Sequence, residues 1–290
     1  MIIAVASGKG GTGKTTVATS MALSLQDMSS EVTFIDCDVE EPNGHIFLCP
    51  QITGSDNIYI EVPEIDRQKC TRCGKCADLC AFNALLATSD EVIVFPEFCH
   101  GCGGCRYFCP VEAVTMMPKK IGTVEKGLAG RVKFARGRLE VGAALSPPVV
   151  DAVKKHSTDQ GIIILDAPPG TSCPVIHSVR GSDFCLLVAE PTSFGLNDLD
   201  LAVQMVRSLG VPCGVLINRA RERSCLIEKY CREHELNVLM KIPLSKDIAG
   251  AYSRGIPLGA VDGKWNKAFR RIYRDIRELV ANEGNNRYQR

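Results

Sequence analysis

The stretch Gly8-Lys9-Gly10-Gly11-Thr12-Gly13-Lys14-Thr15-Thr16 decides the fold. Residues 2–6 form an apolar run before it, and residues 15–28 place Val17, Ala18, Met21, Ala22 and Leu25 on one helical stripe after it. The pattern G-x-x-x-x-G-K-S/T between a strand and a helix is a phosphate-binding loop; a glycine-rich turn without a ligand is the plainer alternative, which that context weakens. Glycines let successive backbone N–H groups converge on phosphate oxygens, and the helix N-terminus adds the positive end of its dipole. Lys14 then reaches the outer phosphates of a nucleotide and the Thr15 hydroxyl binds Mg2+, with Gly8, Gly10, Gly11, Thr12, Gly13 and Thr16 completing the cradle.

Working outward, apolar runs of strand length recur at residues 32–35, 162–165, 185–189, 214–217 and 238–242, continuous rather than alternating. Such runs suit strands buried on both faces of a parallel sheet. Helical stripes separate several of them. Residues 197–209 align Leu201, Ala202, Met205, Val206 and Leu209, then stop at Gly210 with Pro212 beyond. Strands alternating with helices predict a doubly wound, mostly parallel α/β domain.

At 290 residues the chain is long for one ordinary domain and short for three. Hydrophobic residues at 45% against 23% charged supply a sizeable core and exclude disorder. No run approaches the roughly 18 apolar residues of a membrane span. Lys plus Arg number 34 and Asp plus Glu 33, so the formal net charge is +1, and aromatics are 6%. Neither a general attraction for nucleic acid nor a stacking platform for single strands is expected. The first residues lack the basic, apolar, small-residue layout of a signal peptide, so a cytoplasmic chain is expected. In such a chain, 15 cysteines point to metal or redox chemistry rather than disulfides.

Eight of these cysteines lie between residues 63 and 139, where the α/β rhythm breaks. Cys70, Cys73, Cys76 and Cys80 recur as Cys99, Cys102, Cys105 and Cys109, each shifted by 29 positions. C-x2-C-x2-C-x3-C twice over is the signature of a two-cluster bacterial ferredoxin. Three thiolates at i, i+3 and i+6 wrap one 4Fe–4S cubane, and the fourth lies too far along to close the same cluster. The expected sets are therefore Cys70, Cys73, Cys76 and Cys109 for one cluster, and Cys99, Cys102, Cys105 and Cys80 for the other. Zinc, the rival for paired C-x-x-C motifs, explains neither the third and fourth cysteines nor the repeat. A Pro follows the fourth cysteine at Pro110 but is replaced by Ala81 in the first half. We expect residues 1–63 and 139–290 as the nucleotide-binding domain and 64–118 as an inserted α+β ferredoxin-like domain. Residues 119–138, with seven basic side chains against one acidic, are expected as a basic connector. Most of the remaining cysteines sit in apolar runs and read as small core residues; Cys173 follows residues 162–170 closely.

Lys9 is a second lysine, on the far side of the loop from Lys14. With it, residues 9–15 read K-G-G-x-G-K-T, and the chain resembles the deviant-Walker P-loop ATPases, the group of MinD, ParA, the nitrogenase iron protein and the Mrp-type cluster carriers. The likeness spans the whole chain, as in MinD-superfamily ATPases that contain an inserted ferredoxin domain. It implies that Lys9 reaches across a nucleotide-sandwiched dimer to the partner's phosphates. Asp36 and Asp38 end a strand at i and i+2, on one face. The resemblance implies that Asp36 orients or activates the attacking water and that Asp38 supports the metal shell. Residues 162–170 are similar to the group's Walker B and switch II, which implies Asp166 holding Mg2+ through water and Gly170 near the γ-phosphate. Asn218, Arg219 and Pro243, each after a strand, match its adenine-contacting positions.

The resemblance thus implies a slow, partner-stimulated, Mg2+-dependent ATPase, dimeric with itself or with a paralogue. Its nucleotide switch would be coupled to electron transfer or iron–sulfur cofactor assembly, through a redox or cluster-accepting protein partner. The alternative is a nucleotide-switched positioning or scaffold protein whose clusters are structural or sensory. Residues 265–280 carry an apolar stripe of Trp265, Phe269, Ile272, Ile276 and Leu279 among Arg270, Arg271, Arg274 and Arg277. A final helix docked on the sheet is favoured there over a membrane-surface helix, and membrane contact is not expected.

Overall fold

The structure, a computed structural model, describes residues 1–28, 31–157, 160–221 and 225–287. The chain begins with β1 (Ile2–Ala6), α1 (Lys14–Leu25), β2 (Val32–Asp36) and α2 (Gly44–Leu48). A long strand, β3 (Gln51–Ile65), leads out to a small cysteine-bearing unit of α3 (Lys75–Asp78), β4 (Leu85–Ala87), β5 (Val92–Val94) and α4 (Gly104–Tyr107), and β6 (Val114–Ala129) leads back. The alternation continues through β7 (Val132–Leu139), α5 (Pro147–Lys154), β8 (Ile162–Asp166), α6 (Cys173–Val179), β9 (Phe184–Ala189) and α7 (Ser193–Ser208). It ends with β10 (Cys213–Ala220), α8 (Leu226–Glu233), β11 (Val238–Pro243), α9 (Lys246–Tyr252), α10 (Leu258–Val261) and α11 (Lys264–Arg287).

One nine-stranded sheet has the order β11-β10-β9-β1-β8-β2-β7-β6-β3. Neighbours from β11 to β7 are parallel; β6 runs antiparallel to β7, and β3 antiparallel to β6. β1 lies between β8 and β9, where the winding reverses, so its carboxyl end opens into the crevice in which such sheets bind ligands. Alternate residues of the central strands feed two cores. Ala4, Ile35, Leu165 and Leu187 pack with Val150, Val175, Leu199 and Val206 on one face; Ile3, Val5, Phe34 and Ile164 pack with Val17, Met21, Phe269 and Ile276 on the other. Burial on both faces is why these strands read as unbroken apolar runs. Trp265, Phe269, Ile272 and Ile276 of α11 are buried, while Arg271, Arg274 and Arg277 stay outside. No described helix is long and apolar enough to cross a membrane.

Residues 119–138 are not a connector. They form most of β6 and β7, strands of the main sheet in which Ile121, Val124, Val132 and Phe134 are buried. Six of their seven basic side chains have acidic partners: Lys119 with Glu97, Lys120 with Glu140, Lys126 with Asp56, Arg131 with Asp27, Lys133 with Glu31 and Arg136 with Glu125. Gly130, at φ +61°, makes the tight turn between Ala129 and Val132, which face each other. The main sheet therefore resumes well before Leu139.

The β3–β6 pairing continues past the sheet. Gly122 pairs with Leu139, whose N–H reaches the Val39 carbonyl at 2.8 Å, so this level marks the carboxyl edge beside β2. Pairing then runs on to Ile65 and Val114. At about 3.3 Å per residue, the two strands form an arm roughly 20 Å long that carries the cysteine unit beyond the edge on which the P-loop lies.

Candidate functional site

The P-loop turns from β1 into α1 on left-handed glycines: Gly11 and Gly13 have φ of +76° and +91°. Two glycines also permit close approach. A Cβ on Gly8 would lie 2.0 Å from the Asp198 carbonyl oxygen, and one on Gly13 would lie 2.3 Å from Asn218 Nδ2. At Gly10 and Gly11 a Cβ would meet nothing within 4 Å, so there the loop faces open space.

Lys14 is buried, with Nζ 3.4 Å from Asp166 Oδ1 and 3.7 Å from Asp38 Oδ2. Burial opposes its charge, but Asp166, Asp38 and Asp36 outweigh that and hold its pKa above the usual lysine value. Burial pushes the Asp36 carboxyl well up, with the Asp166 charge adding to it. Burial also raises Asp166, against the pull of Lys14. Asp38 is raised to about 6, again by burial first and with Lys14 opposing. Three carboxylates face one ammonium, and a divalent cation would balance the excess. Asp166 Oδ2, Thr12 Oγ1 and Thr16 Oγ1 are buried without a hydrogen-bond partner among the described residues. Orphaned buried oxygens are costly, and these suit a Mg2+–nucleotide in the crevice.

The two aspartates at the end of β2 lie at different depths. Asp36 is fully buried; its Oδ1 accepts from the Asp38 N–H at 3.1 Å and its Oδ2 from the Gly44 N–H at 2.8 Å. It fixes the turn into α2. The Asp38 side chain is 15% exposed and faces Lys14, so access to water belongs to Asp38. The i, i+2 spacing puts both on one face but says nothing of depth, which the close packing of Gly44 against Phe34 and Asp36 sets.

Asn218, Arg219 and Pro243 line an open pocket with Gly13, Ile248 and Tyr252. Asn218 Nδ2 donates to the Thr12 carbonyl at 2.7 Å, tying this wall to the P-loop. Ile248 and Tyr252 of α9 escape the sequence reading because they belong to no motif. Gly170, at φ +95°, donates its N–H to the Ser7 carbonyl at 3.0 Å, which fastens the segment after β8 to the strand feeding the P-loop. Cys173 is exposed at the start of α6, whereas Cys37, Cys185 and Cys231 are buried. Lys9 Nζ lies 3.9 Å from Asp198 and 4.0 Å from Glu190 of its own chain.

In the cysteine unit, no three His, Cys, Asp or Glu side chains among the described residues converge closely enough to hold a single metal ion. Cys70, Cys73, Cys76 and Cys109 instead line one recess, walled by Ile65, Val92 and Val114. Cys80 packs with Cys99 beside Val62 and Ala84. The fourth cysteine of each run thus meets the other run. Backbone N–H groups aim at three thiols: Ala84 at Cys80 Sγ (3.3 Å), Ala113 at Cys109 Sγ (3.2 Å) and Gly101 at Cys99 Sγ (3.4 Å). An all-sulfur set with backbone N–H groups aimed at it suits iron–sulfur clusters. The backbone repeats too: Arg72 and Gly101, Gly74 and Gly103, and Asn83 and Glu112 are left-handed at equivalent positions.

The model of the CobQ/CobB/MinD/ParA nucleotide-binding domain matches residues 3–258. The chain belongs to this family. An uncharacterized protein of Methanocaldococcus jannaschii is 29% identical over 285 residues, covering 97% of this chain and 98% of its own. An iron–sulfur cluster carrier protein of the same organism is 22% identical, with 96% of this chain and 84% of the relative covered. A ferredoxin from it is 38% identical over 63 residues, 19% of this chain and 82% of the ferredoxin. Among solved structures, the Pyrococcus horikoshii septum site-determining protein MinD complexed with Mg-ADP matches with a TM-score of 0.58 at 20% identity, covering 96% of each chain. The fold is thus that of a MinD-like P-loop domain, and the crevice above β1 is the nucleotide site of a CobQ/CobB/MinD/ParA family member.

Proposed function

We propose that this chain is an ATPase in which a nucleotide-driven dimer switch drives electron transfer or cluster delivery by an iron–sulfur unit mounted on the same sheet. The β3–β6 arm carries the reading. It leaves the carboxyl edge that holds Lys14, Asp38 and Asp166, and it ends in the eight cysteines. Phosphoryl transfer is catalysed by positioning and by stabilising charge. Lys14 would hold the outer phosphates, Thr15 and Asp166 would hold Mg2+, and Asp38 would orient the attacking water. Asp36 keeps the Asp38 backbone and α2 in place through its two N–H partners. Gly170 passes loss of the γ-phosphate to residues 168–173 through its bond to Ser7. Lys9 acts on the nucleotide of a second subunit, identical or paralogous.

Cys70, Cys73, Cys76 and Cys109 would hold one 4Fe–4S cluster, and Cys99, Cys102, Cys105 and Cys80 the other. When bound, the clusters supply one-electron redox chemistry. The chain fixes the thiolates with the Ala84, Ala113 and Gly101 N–H groups. It also stacks Phe82 on His100, ring centroids 3.5 Å apart, which clasps the loop after Cys80 to the loop after Cys99. The relative named as a cluster carrier and the matching ferredoxin support this chemistry.

Protein prepared without oxygen should contain about eight irons and eight sulfides per chain. An EPR-monitored titration, with and without Mg2+ and a non-hydrolysable ATP analogue, should shift at least one cluster potential by roughly 40–130 mV, the equivalent of about 1–3 kcal/mol of coupling. Stoichiometric zinc without sulfide would overturn the cluster assignment. Identical potentials with proven analogue binding would favour the scaffold alternative.

A further inference from the structure

β9 lies between β1 and β10, so the residue after β9 sits between the loops that follow its two neighbours. That residue is Glu190. Its Oε1 accepts a hydrogen bond from Arg219 Nη1, while its Oε2 lies 4.0 Å from Lys9 Nζ, whose other carboxylate neighbour is Asp198 at 3.9 Å. The Glu190 side chain is 13% exposed, against 35% for Lys9 and 53% for Arg219, so the carboxylate is the anchored member. Its backbone is anchored as well: its carbonyl accepts from the Thr192 N–H at 2.8 Å, and a Cβ on Gly195 would come within 2.3 Å of that oxygen. Arg219, at φ +53°, lines the base cavity beside Asn218. One carboxylate therefore joins the base cavity to the second lysine of the P-loop.

The distances rank the two cations. Arg219 makes a direct charge-assisted hydrogen bond, whereas Lys9 stands at the outer limit of an ion pair with both of its carboxylates. We infer that Glu190 is a positioning residue that sets how readily Lys9 leaves its own subunit. With Arg219 on one oxygen, Lys9 is held loosely and is free to cross to a second copy of this chain. With Arg219 withdrawn, the carboxylate closes on Lys9 and retains it. The inference rests on the reading of Lys9 as acting across a dimer, and it names the groups that regulate that step.

The test uses the full-length, cluster-loaded chain and its Arg219→Gln, Glu190→Gln, Arg219→Lys and double Arg219→Gln/Glu190→Gln variants. Binding of a fluorescent non-hydrolysable ATP analogue and analogue-driven association in the ultracentrifuge are measured separately. Arg219→Gln should need about tenfold more analogue to associate than its binding curve alone explains. Glu190→Gln should associate at lower analogue concentration than the unmodified chain, and the double variant should follow Glu190→Gln. Arg219→Lys, which keeps a cation at Oε1, should associate at the analogue concentration that its own binding curve predicts, whatever its affinity. If Arg219 served only the base or the fold, binding and association would fall together and Glu190→Gln would not rescue them; that result overturns the inference. An unmodified chain that binds analogue yet stays monomeric sinks the dimer reading and the inference with it. Association that occurs but is indifferent to all four variants sinks the inference alone.

Discussion

The nucleotide crevice and the cysteine unit are built on opposite plans. Lys14, Asp38, Asp166 and Asn218 come from four distant segments and converge because a sheet buried on both faces holds their strand ends. The eight cysteines fall within residues 70–109, and the apolar residues behind them are few: Leu85, Val92 and Val114 on one side, Val62 and Ala84 on the other. The first site is shaped by its host's core whether or not a ligand is present. The second has little core of its own, so on the proposed reading cluster binding contributes to its folding. Damage should therefore stay within whichever region receives it.

The hardest blow to the crevice is Lys14→Ala, which leaves three carboxylates facing one another. Nucleotide affinity should fall by about 100-fold or more, with iron and sulfide per chain unchanged. Binding isotherms beside an iron assay check this, and a matching loss of iron would end the claim of independence. The mirror experiment is Cys109→Ser. Iron should drop from about eight to about four per chain, one EPR signal should go, and nucleotide affinity should stay within about twofold. Loss of all iron would instead show that the unit folds around both clusters together.

A finer cut separates the two aspartates inside the crevice. Asp38→Asn should bind nucleotide but slow single-turnover hydrolysis by about 100-fold. Asp36→Asn should chiefly cost stability, about 1–3 kcal/mol in a denaturant melt, because an amide NH2 would face one of the two backbone N–H groups from which the carboxyl accepts. A fully stable, inactive Asp36→Asn protein would return the water to Asp36. The smallest effect is one of pH. Asp38 titrates at about 6 in the folded chain against an ordinary 3.8, so the folded state keeps its proton between those values. Its contribution to stability is full below about pH 4 and is lost as pH rises through 6. Mg2+ and nucleotide need the ionised form, so the rise in melting temperature on adding them should grow by a few degrees from about pH 5 to 7. Iron content should not change across the same range.

The parallel half of the sheet is legible in the sequence because burial on two faces writes continuous apolar runs, and the P-loop because its backbone requires glycine at set positions. The two cysteine runs are legible for a local reason: the repeated spacing of each brings three thiols within reach of a common centre. β6 and β7 are not, because the acids that neutralise them, Asp27, Glu31, Asp56, Glu97 and Glu140, come from other segments. A count of charge along residues 119–138 cannot see partners that only folding brings near. The wall supplied by Ile248 and Tyr252 escapes for a different reason, since packing against a flat ligand asks for shape and leaves no spacing rule.

Ile65 and Val114 face each other across β3 and β6, and just outside them the Asp66 N–H reaches the Ala113 carbonyl at 2.8 Å. The cysteine unit thus enters and leaves its host through a doorway one strand spacing wide. Cutting out residues 66–113 would leave two ends about 5 Å apart, a gap that an Asn-Gly turn closes into an ordinary hairpin. The host would keep its sheet, its crevice and both of its main cores. Such a joint behaves as a graft union: another redox module with similarly close termini could be spliced onto the same stem, and the present one moved to a foreign hairpin. Because the stem is a hydrogen-bonded pair rather than a single tether, whatever is grafted there turns with the sheet instead of swinging free of it.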